Sequence, residues 1–178
     1  MDSLALRLDR REPMNLPTVI IDTREQARLV FTRLPTITAA LLTGEHSVAG
    51  LEDHFAAERK STADLVACCV GDNRDRFFRE LHRLRGFRFK QLLVVGTVGE
   101  IERDEYRSQV KPAAVLATLA ATEARFDVPV VFATTQVEGA RRIESRAYWF
   151  ALEQIESVNS IARATGLTKS VNAHAQTQ

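Results

Sequence analysis

The sequence has few of the features that would assign the protein to a specialised class. Only two of its 178 residues are cysteines, and these are the neighbours Cys68 and Cys69. Adjacent cysteines rarely bridge, so the pair predicts reduced thiols in a cytoplasmic protein. No apolar stretch approaches the roughly 18 residues of a membrane span. The N-terminal segment MDSLALRLDRREPMN is too charged for a secretory signal.

Neither sign of charge dominates the chain. There are 24 lysines and arginines against 23 acidic residues, which gives a formal net charge of +1. The global charge therefore does not indicate a nucleic-acid-binding protein, and any such contact would depend on a local patch. Hydrophobic residues make up 45% of the chain and charged residues 26%, which is typical of a globular protein. A chain of this length fits one domain that folds without disulfide staples.

The order of the predicted elements indicates a single α/β domain over residues 17–164. We expect a flexible N-terminal arm over residues 1–16 and a disordered polar tail over residues 165–178. Short apolar runs predict buried strands at 18–22, 91–96 and 128–134. Amphipathic or alanine-rich stretches predict helices at 61–70, 72–85, 112–126 and 138–164. This alternation favours a mixed sheet with helices on both faces.

The stretch between the first strand and the first helix predicts further strands. Residues 28–33 are compatible with a short extended piece. Residues 36–43 fit a strand or a helix by propensity, although the flanking Pro35 and Gly44 favour a strand. With the strands at 46–48 and 54–60 and their short connections, this pattern predicts an antiparallel meander.

Four charged side chains form the candidate site. In the last strand of the meander, alternation points Glu58 and Lys60 to one face, about 7 Å apart, and Arg59 to the other. Glu45 approaches Glu58 if its strand pairs with that one, and Asp22 joins them if the first strand lies alongside. Clustered carboxylates repel one another unless a divalent cation neutralises them, and oxygen ligands favour Mg²⁺ or Mn²⁺. A nearby lysine then orients the attacking water and stabilises negative charge.

The string Glu-Arg-Lys alone is a weak signal for a metal site, since most such strings are solvated edges or ion pairs. A longer pattern is more specific. DTREQ at 22–26 precedes TGEHSVAGLEDHFAAERKSTADL at 43–65, in which three residues separate Glu-Arg-Lys from Asp64. These blocks resemble the XPF-type structure-selective endonucleases, which carry D-x-R-E, then Gly-Asp, then E-R-K-x-x-x-D. The arginine-rich helix, LLVVG and VPVVF are similar too, so the resemblance covers roughly residues 17–160.

This resemblance implies a restriction-endonuclease-like fold of the PD-(D/E)xK type. It implies a metal site in which Glu45 and Glu58 are ligands and Asp22 is a third acidic residue, with Lys60 assisting the water nucleophile. The residues implied to support the site or contact DNA are Arg24, Glu25, Arg59 and Asp64. The sequence itself suggests a plainer role for Asp64, which follows Ser61 at capping-box spacing.

The chain departs from the family pattern at one position. Gly44 is followed by Glu45 where the family has Gly-Asp. Glutamate keeps the charge but adds a methylene, and a displacement of about 1 Å can cost on the order of 100-fold in rate. His46, which follows, is interpreted as a packing group because Mg²⁺-type sites favour oxygen.

A run of basic residues is the candidate DNA-binding surface. Its members are Arg74, Arg76, Arg79, Arg83, Arg85, Arg88 and Lys90. Asp75 and Glu80 oppose them, so the stretch has a local charge of +5. Phosphate contact is the natural use of such a patch. A solvated helix face with intrahelical ion pairs is the alternative.

The function these patterns favour is a Mg²⁺- or Mn²⁺-dependent endonuclease that cuts branched or flapped DNA. The alternative is a catalytically weakened subunit that keeps the nuclease fold for DNA binding or dimerisation. No helix-hairpin-helix module follows the predicted domain, so we expect a homodimer through the late helices or a separate DNA-targeting protein. The compact layout suggests a bacterial or phage origin.

Overall fold

A six-stranded mixed sheet forms the centre of the protein. The computed structural model describes residues 16–27 and 29–166, so nearly all of the predicted arm and tail lie outside the described residues. The strands are β1 (Val19–Asp22), β2 (Thr36–Ala39), β3 (His46–Val48), β4 (Phe55–Ser61), β5 (Phe89–Val95) and β6 (Val130–Ala133). Their spatial order is β2-β1-β3-β4-β5-β6. β1 pairs with β2, and β5 with β4 and β6, in parallel, whereas β3 is antiparallel to both β1 and β4.

The predicted antiparallel meander is therefore wrong in one respect. Only β3 and β4 form a hairpin, because β1 lies between β2 and β3. All four side chains of β1 are buried, whereas those of β2 are exposed or half-buried. The apolar strand therefore takes an interior position and the polar one an edge. β2 also ends at Ala39, four residues earlier than predicted, and residues 29–33 form no strand.

Helices cover both faces of the sheet, as predicted. They are α1 (Thr62–Ala67), α2 (Gly71–Leu84), α3 (Val98–Glu102), α4 (Pro112–Phe126) and α5 (Gln136–Thr165). The first four contribute Leu65, Phe77, Ile101 and Val115 to one hydrophobic core. α5 contributes Ala140, Ile143 and Ala147 to a second core on the other face.

Local sequence signals explain most helix boundaries. Ser61 and Asp64 form the predicted capping box of α1, and Pro112 occupies the first turn of α4. The short helix α3 was not predicted, since five residues give no usable periodicity, although Thr97 and Glu100 form a capping box there. Within the described ranges, no helix is long and apolar enough to cross a membrane.

Candidate active site

The order of β1, β3 and β4 brings the three predicted acidic residues to neighbouring positions. The backbone N–H of Asp22 donates to the carbonyl of Glu45 at 2.8 Å, and the N–H of Glu45 donates to the carbonyl of Ala57 at 3.0 Å. Gly44 makes this approach possible: its φ is +80°, and a Cβ there would lie 3.2 Å from the Ala57 carbonyl oxygen. Asp22, Glu45 and Glu58 consequently line one cavity of 230 Å³.

Glu58 and Lys60 point into this cavity from the same face of β4, as alternation predicts. Lys60 Nζ donates to Glu58 Oε1, and also to Glu80 Oε2 at 3.3 Å. Burial raises the pKa of Glu58 to about 8, the Lys60 ammonium opposes that rise, and the Glu80 carboxylate adds to it. Burial alone would lower the pKa of Lys60, but the charges of Glu58 and Glu80 raise it overall. Lys60 is therefore a permanently charged group in the cavity.

Glu45 lies where β3 and β4 meet, beside the other charged groups. The backbone N–H of Arg59 donates to Glu45 Oε2 at 3.1 Å. Burial, the charge of Glu58 and a hydrogen bond with Glu25 raise the pKa of Glu45 to about 9. Without a cation, this carboxyl group thus carries a proton at neutral pH.

Asp22 has a different environment. Arg24 donates from its backbone N–H and its Nε to Asp22 Oδ1 at 2.8 and 2.7 Å. Arg24 Nη2 and the backbone N–H of Leu41 donate to Oδ2 at 3.2 and 2.7 Å. Burial raises the pKa of Asp22, but these hydrogen bonds outweigh it and hold that pKa below its usual value. Asp22 is therefore an ionised carboxylate whose two oxygens already have donors.

The remaining predicted supporting residues, Glu25, Arg59 and Asp64, do not line this smaller cavity but line an adjoining one of 720 Å³ that also contains Lys60. Arg59 points to the opposite face from Lys60 and forms two hydrogen bonds of 3.1 Å with the two carboxylate oxygens of Glu25. Asp64 Oδ2 accepts a hydrogen bond of 2.7 Å from Ser61 Oγ and completes the cap of α1. The ring of His46 is fully buried, 5.4 Å from the ring of Phe31, which agrees with a packing role.

Two of the three predicted carboxylates fit the chemistry of a divalent cation. Among residues 16–27 and 29–166, no group of three or more His, Cys, Asp and Glu side chains is arranged to hold a metal ion. Asp22 is held by Arg24, so the predicted three-carboxylate set is not gathered as one ligand cluster. Glu45 and Glu58 fit the chemistry better, because both are oxygen donors facing one cavity and the charge of Glu58 raises the pKa of Glu45. Mg²⁺ commonly uses one or two carboxylates and retains several waters.

The predicted basic surface is divided by the fold. Arg76 and Arg83 line a cavity of 720 Å³ that also contains Lys60. Arg74 lies over the Phe78 ring, 4.6 Å from its centroid. Two other members have ion-pair partners elsewhere: Arg88 pairs with Glu153 at 3.1 Å, and Lys90 with Asp127 at 2.7 Å. Arg79 and Arg85 are exposed.

Comparison with known proteins agrees with this arrangement. The family model described as the ERCC4 domain matches residues 8–145, most of the chain. The chain belongs to the ERCC4 domain family. The match and the fold together confirm the predicted resemblance to the XPF-type nuclease domain, in a family of structure-specific DNA nucleases.

Two solved structures show the same fold as this ERCC4 domain. XPF from Aeropyrum pernix is 22% identical with a TM-score of 0.60, over 74% of this chain and 60% of that one. The same protein in complex with DNA is 20% identical with a TM-score of 0.60, over 78% of this chain and 66% of that one. The chain thus spans less than two thirds of either. No curated protein matches it.

One residue of the site was not predicted from the sequence. Glu80 was counted only as a negative charge opposing the basic run, yet in this ERCC4 domain it contacts Lys60 and lines both cavities. The sequence does contain a signal for its position. Phe77, Leu81 and Leu84 form the apolar stripe of α2, and Glu80 lies beside that stripe. A carboxylate at the edge of such a stripe faces the domain rather than the solvent.

Proposed function

We propose that this ERCC4 domain is a metal-dependent endonuclease that hydrolyses phosphodiester bonds in branched or flapped DNA. The observation that carries the proposal is the position of Glu58 and Lys60 on one face of β4, where they share a cavity with Glu45. Perturbed carboxylates beside a charged lysine in a cleft are typical of a catalytic site. Two further observations support it: the family is one of structure-specific DNA nucleases, and one solved structure of similar fold is a complex with DNA.

In this proposal Glu45 and Glu58 hold Mg²⁺ or Mn²⁺, with Asp22 as the third acidic residue of the site. Such a cation, when bound, lowers the pKa of a coordinated water and polarises a phosphoryl oxygen. Lys60 contributes its permanent charge, which orients a water and stabilises the negative charge that develops on the phosphoryl oxygens. Burial of Lys60, whose side chain is 15% exposed, strengthens this effect by excluding water.

DNA would approach along the side of α2 that borders the larger cavity. Arg76 and Arg83 line this cavity together with Arg24, whose side chain is 71% exposed. Guanidinium groups at such a rim make charge-assisted hydrogen bonds to phosphates. The arginines that pair with acids elsewhere have no such part in the proposal.

The test is cleavage of end-labelled splayed-arm, 3′-flap and plain duplex DNA in Mg²⁺, in Mn²⁺ and in EDTA. Wild type is compared with Lys60→Ala and with the matched control Lys111→Ala, which removes an exposed lysine at the start of α4. We expect metal-dependent cutting of the flap that Lys60→Ala almost abolishes and the control retains. Cutting at the wild-type rate in Lys60→Ala, or cutting that persists in EDTA, would refute the proposed site.

A specific observation favours a second candidate, a weakened subunit that binds DNA or a partner without cutting. Glu45 replaces the family's aspartate, accepts the Arg59 N–H and is hydrogen-bonded to Glu25. Each of these interactions opposes metal binding. If wild type binds flap DNA but does not cut it, while Glu45→Asp cuts it, the second candidate is correct.

A homodimer is the expected assembly, with a separate DNA-targeting protein as the alternative partner. α5 exposes Trp149, Ile155, Val158 and Ile161 by 56–63%. The groove between α5 and the β3–β4 connection has a volume of 570 Å³ and includes Ile155 and Val158. Exposed apolar surface of this kind favours a protein contact. A monomeric mass by light scattering at micromolar concentration would contradict the dimer, and Val158→Glu is expected to dissociate it.

A further inference from the structure

α2 places a carboxylate in the middle of a basic row. Arg76 precedes Glu80 by four residues and Arg83 follows it by three, so the three side chains share one side of the helix. All three line the cavity of 720 Å³. A negative charge at this place opposes phosphate binding, so the DNA-binding role assigned to the row does not explain Glu80. Its contact with Lys60 does.

Glu80 contacts Lys60 from α2, a helix that is packed firmly against the sheet. Glu80 Oε2 accepts a hydrogen bond from Lys60 Nζ at 3.3 Å, and the two side chains are 23% and 15% exposed. α2 is fixed against the sheet by Phe77, Leu81 and Leu84, which are at most 1% exposed. The Phe77 ring also lies beneath the ammonium, 5.9 Å from Nζ to its centroid. The position of Glu80 is therefore determined by the core and not by a flexible loop.

Lys60 has two carboxylates within ion-pair distance in the described part of the chain, and they differ in kind. Glu58 is two residues away on the same strand and is the group proposed to bind the cation. If Glu58 held a cation, its carboxylate would be less able to hold the ammonium, because the two positive charges would repel each other. Glu80, on a different element, is the partner that remains.

We propose that Glu80 is a positioning residue that keeps the Lys60 ammonium in the cavity while Glu58 is engaged by cation and substrate. The inference rests on the proposed nuclease function. It assigns to α2 a part in placing the lysine beside the reacting phosphate, in addition to any contact with DNA. Glu80 acts through Lys60 and touches no reacting atom.

The test measures kcat and KM for flap DNA in Mg²⁺, with DNA affinity measured separately in EDTA. Glu80→Ala is expected to lower kcat about 10-fold or more, since a displacement of about 1 Å in a site can cost about 100-fold. DNA affinity does not weaken, because a negative charge leaves the basic row. Glu80→Gln keeps a hydrogen-bond acceptor and loses less. The control Asp75→Ala removes an exposed carboxylate from the same helix and leaves kcat unchanged.

The effect of Glu80→Ala in the absence of Lys60 distinguishes a positioning role from a general effect on folding. In a Lys60→Ala background with residual cutting, Glu80→Ala should cause no further loss of kcat. An additive loss, an equal loss in Asp75→Ala, or a higher KM with unchanged kcat would overturn the inference. If wild type cuts no DNA, the proposed function fails, and a double-mutant cycle of Lys60→Met with Glu80→Ala in urea unfolding still tests the contact. Additive changes in that cycle would overturn it.

Discussion

Two ion pairs on adjacent residues of β4 have opposite electrostatics. Arg59 pairs with Glu25 on one face of the strand, and Lys60 pairs with Glu58 on the other. Glu25 and Glu58 are both buried, being 4% and 2% exposed. Burial raises the pKa of each, yet hydrogen bonds with Glu45 and Arg59 lower that of Glu25 to about 2. The pKa of Glu58 rises to about 8, because Lys60 offsets the burial incompletely and Glu80 adds to it.

The geometry of the cation explains the difference. The Arg59 guanidinium reaches both oxygens of Glu25 with two hydrogen bonds, whereas the Lys60 ammonium is divided between Glu58 and Glu80. The first pair is neutral and complete, and stabilises the fold. In the second pair one ammonium faces two carboxylates, so ionising Glu58 is costly and its pKa is raised. In the proposed function, a bound cation would offset this cost.

Glu58→Gln should show the largest effect on this contrast. It removes a proposed cation ligand and leaves the shape of the side chain almost unchanged. We expect the rate of flap cleavage to fall by about 1,000-fold or more, while the circular dichroism spectrum stays that of wild type. Glu156→Gln, an exposed change on α5, is the matched control and should cut normally. If Glu58→Gln still cleaves DNA, the side of β4 that faces the cavity is not the catalytic site.

Glu25→Gln disrupts the ion pair with Arg59, and we expect it to lower the stability of the fold. It leaves the buried guanidinium of Arg59, whose side chain is 8% exposed, without its bidentate partner. Removing one member of a buried pair typically costs about 3 kcal/mol of unfolding free energy. Urea unfolding monitored by circular dichroism measures this as a lower midpoint with an unchanged slope. An unchanged midpoint would mean that Arg59 and Glu25 are as dispensable as a surface pair.

The pH dependence of stability should separate the two pairs further. Glu25 has a lowered pKa, so its contribution is present above pH 4.5 and is lost as pH falls toward 2. Glu58 has a raised pKa, so ionising it destabilises the fold as pH rises from 4.5 to about 8. Thermal melts in EDTA measure this. Compared with wild type, Glu25→Gln should lose less stability as pH falls below 4.5, and Glu58→Gln should lose less stability as pH rises from 4.5 to about 8. Identical profiles in both variants would contradict the contrast.

Strand alternation in the sequence was enough to predict that Glu58 and Lys60 share a face and that Arg59 opposes them. The proximity of Asp22 and Glu45 was predicted only conditionally, because it depends on strand order. That order depends on the burial of β1, which a local pattern cannot reveal, and the meander was wrong for this reason. Glu25 and Glu80 lie in a loop and on α2, far along the chain from their β4 partners Arg59 and Lys60, so their charges could be listed from the sequence but not paired.

The smallest expected effect concerns DNA binding by the basic run, where the structure distinguishes arginines that the sequence does not. The sequence treats Arg83 and Arg88 alike, but the structure places Arg83 at both cavities and pairs Arg88 with Glu153 and Gln154. Arg83→Ala should weaken flap binding a few-fold and reduce the magnitude of the salt slope of log K by about 1, because one phosphate contact is lost. Arg88→Ala removes the same charge from a neutralised pair and should change neither quantity. Titrations between 50 and 200 mM salt measure both. Equal slopes for the two variants would mean that DNA follows the whole basic run rather than the cavity side of α2.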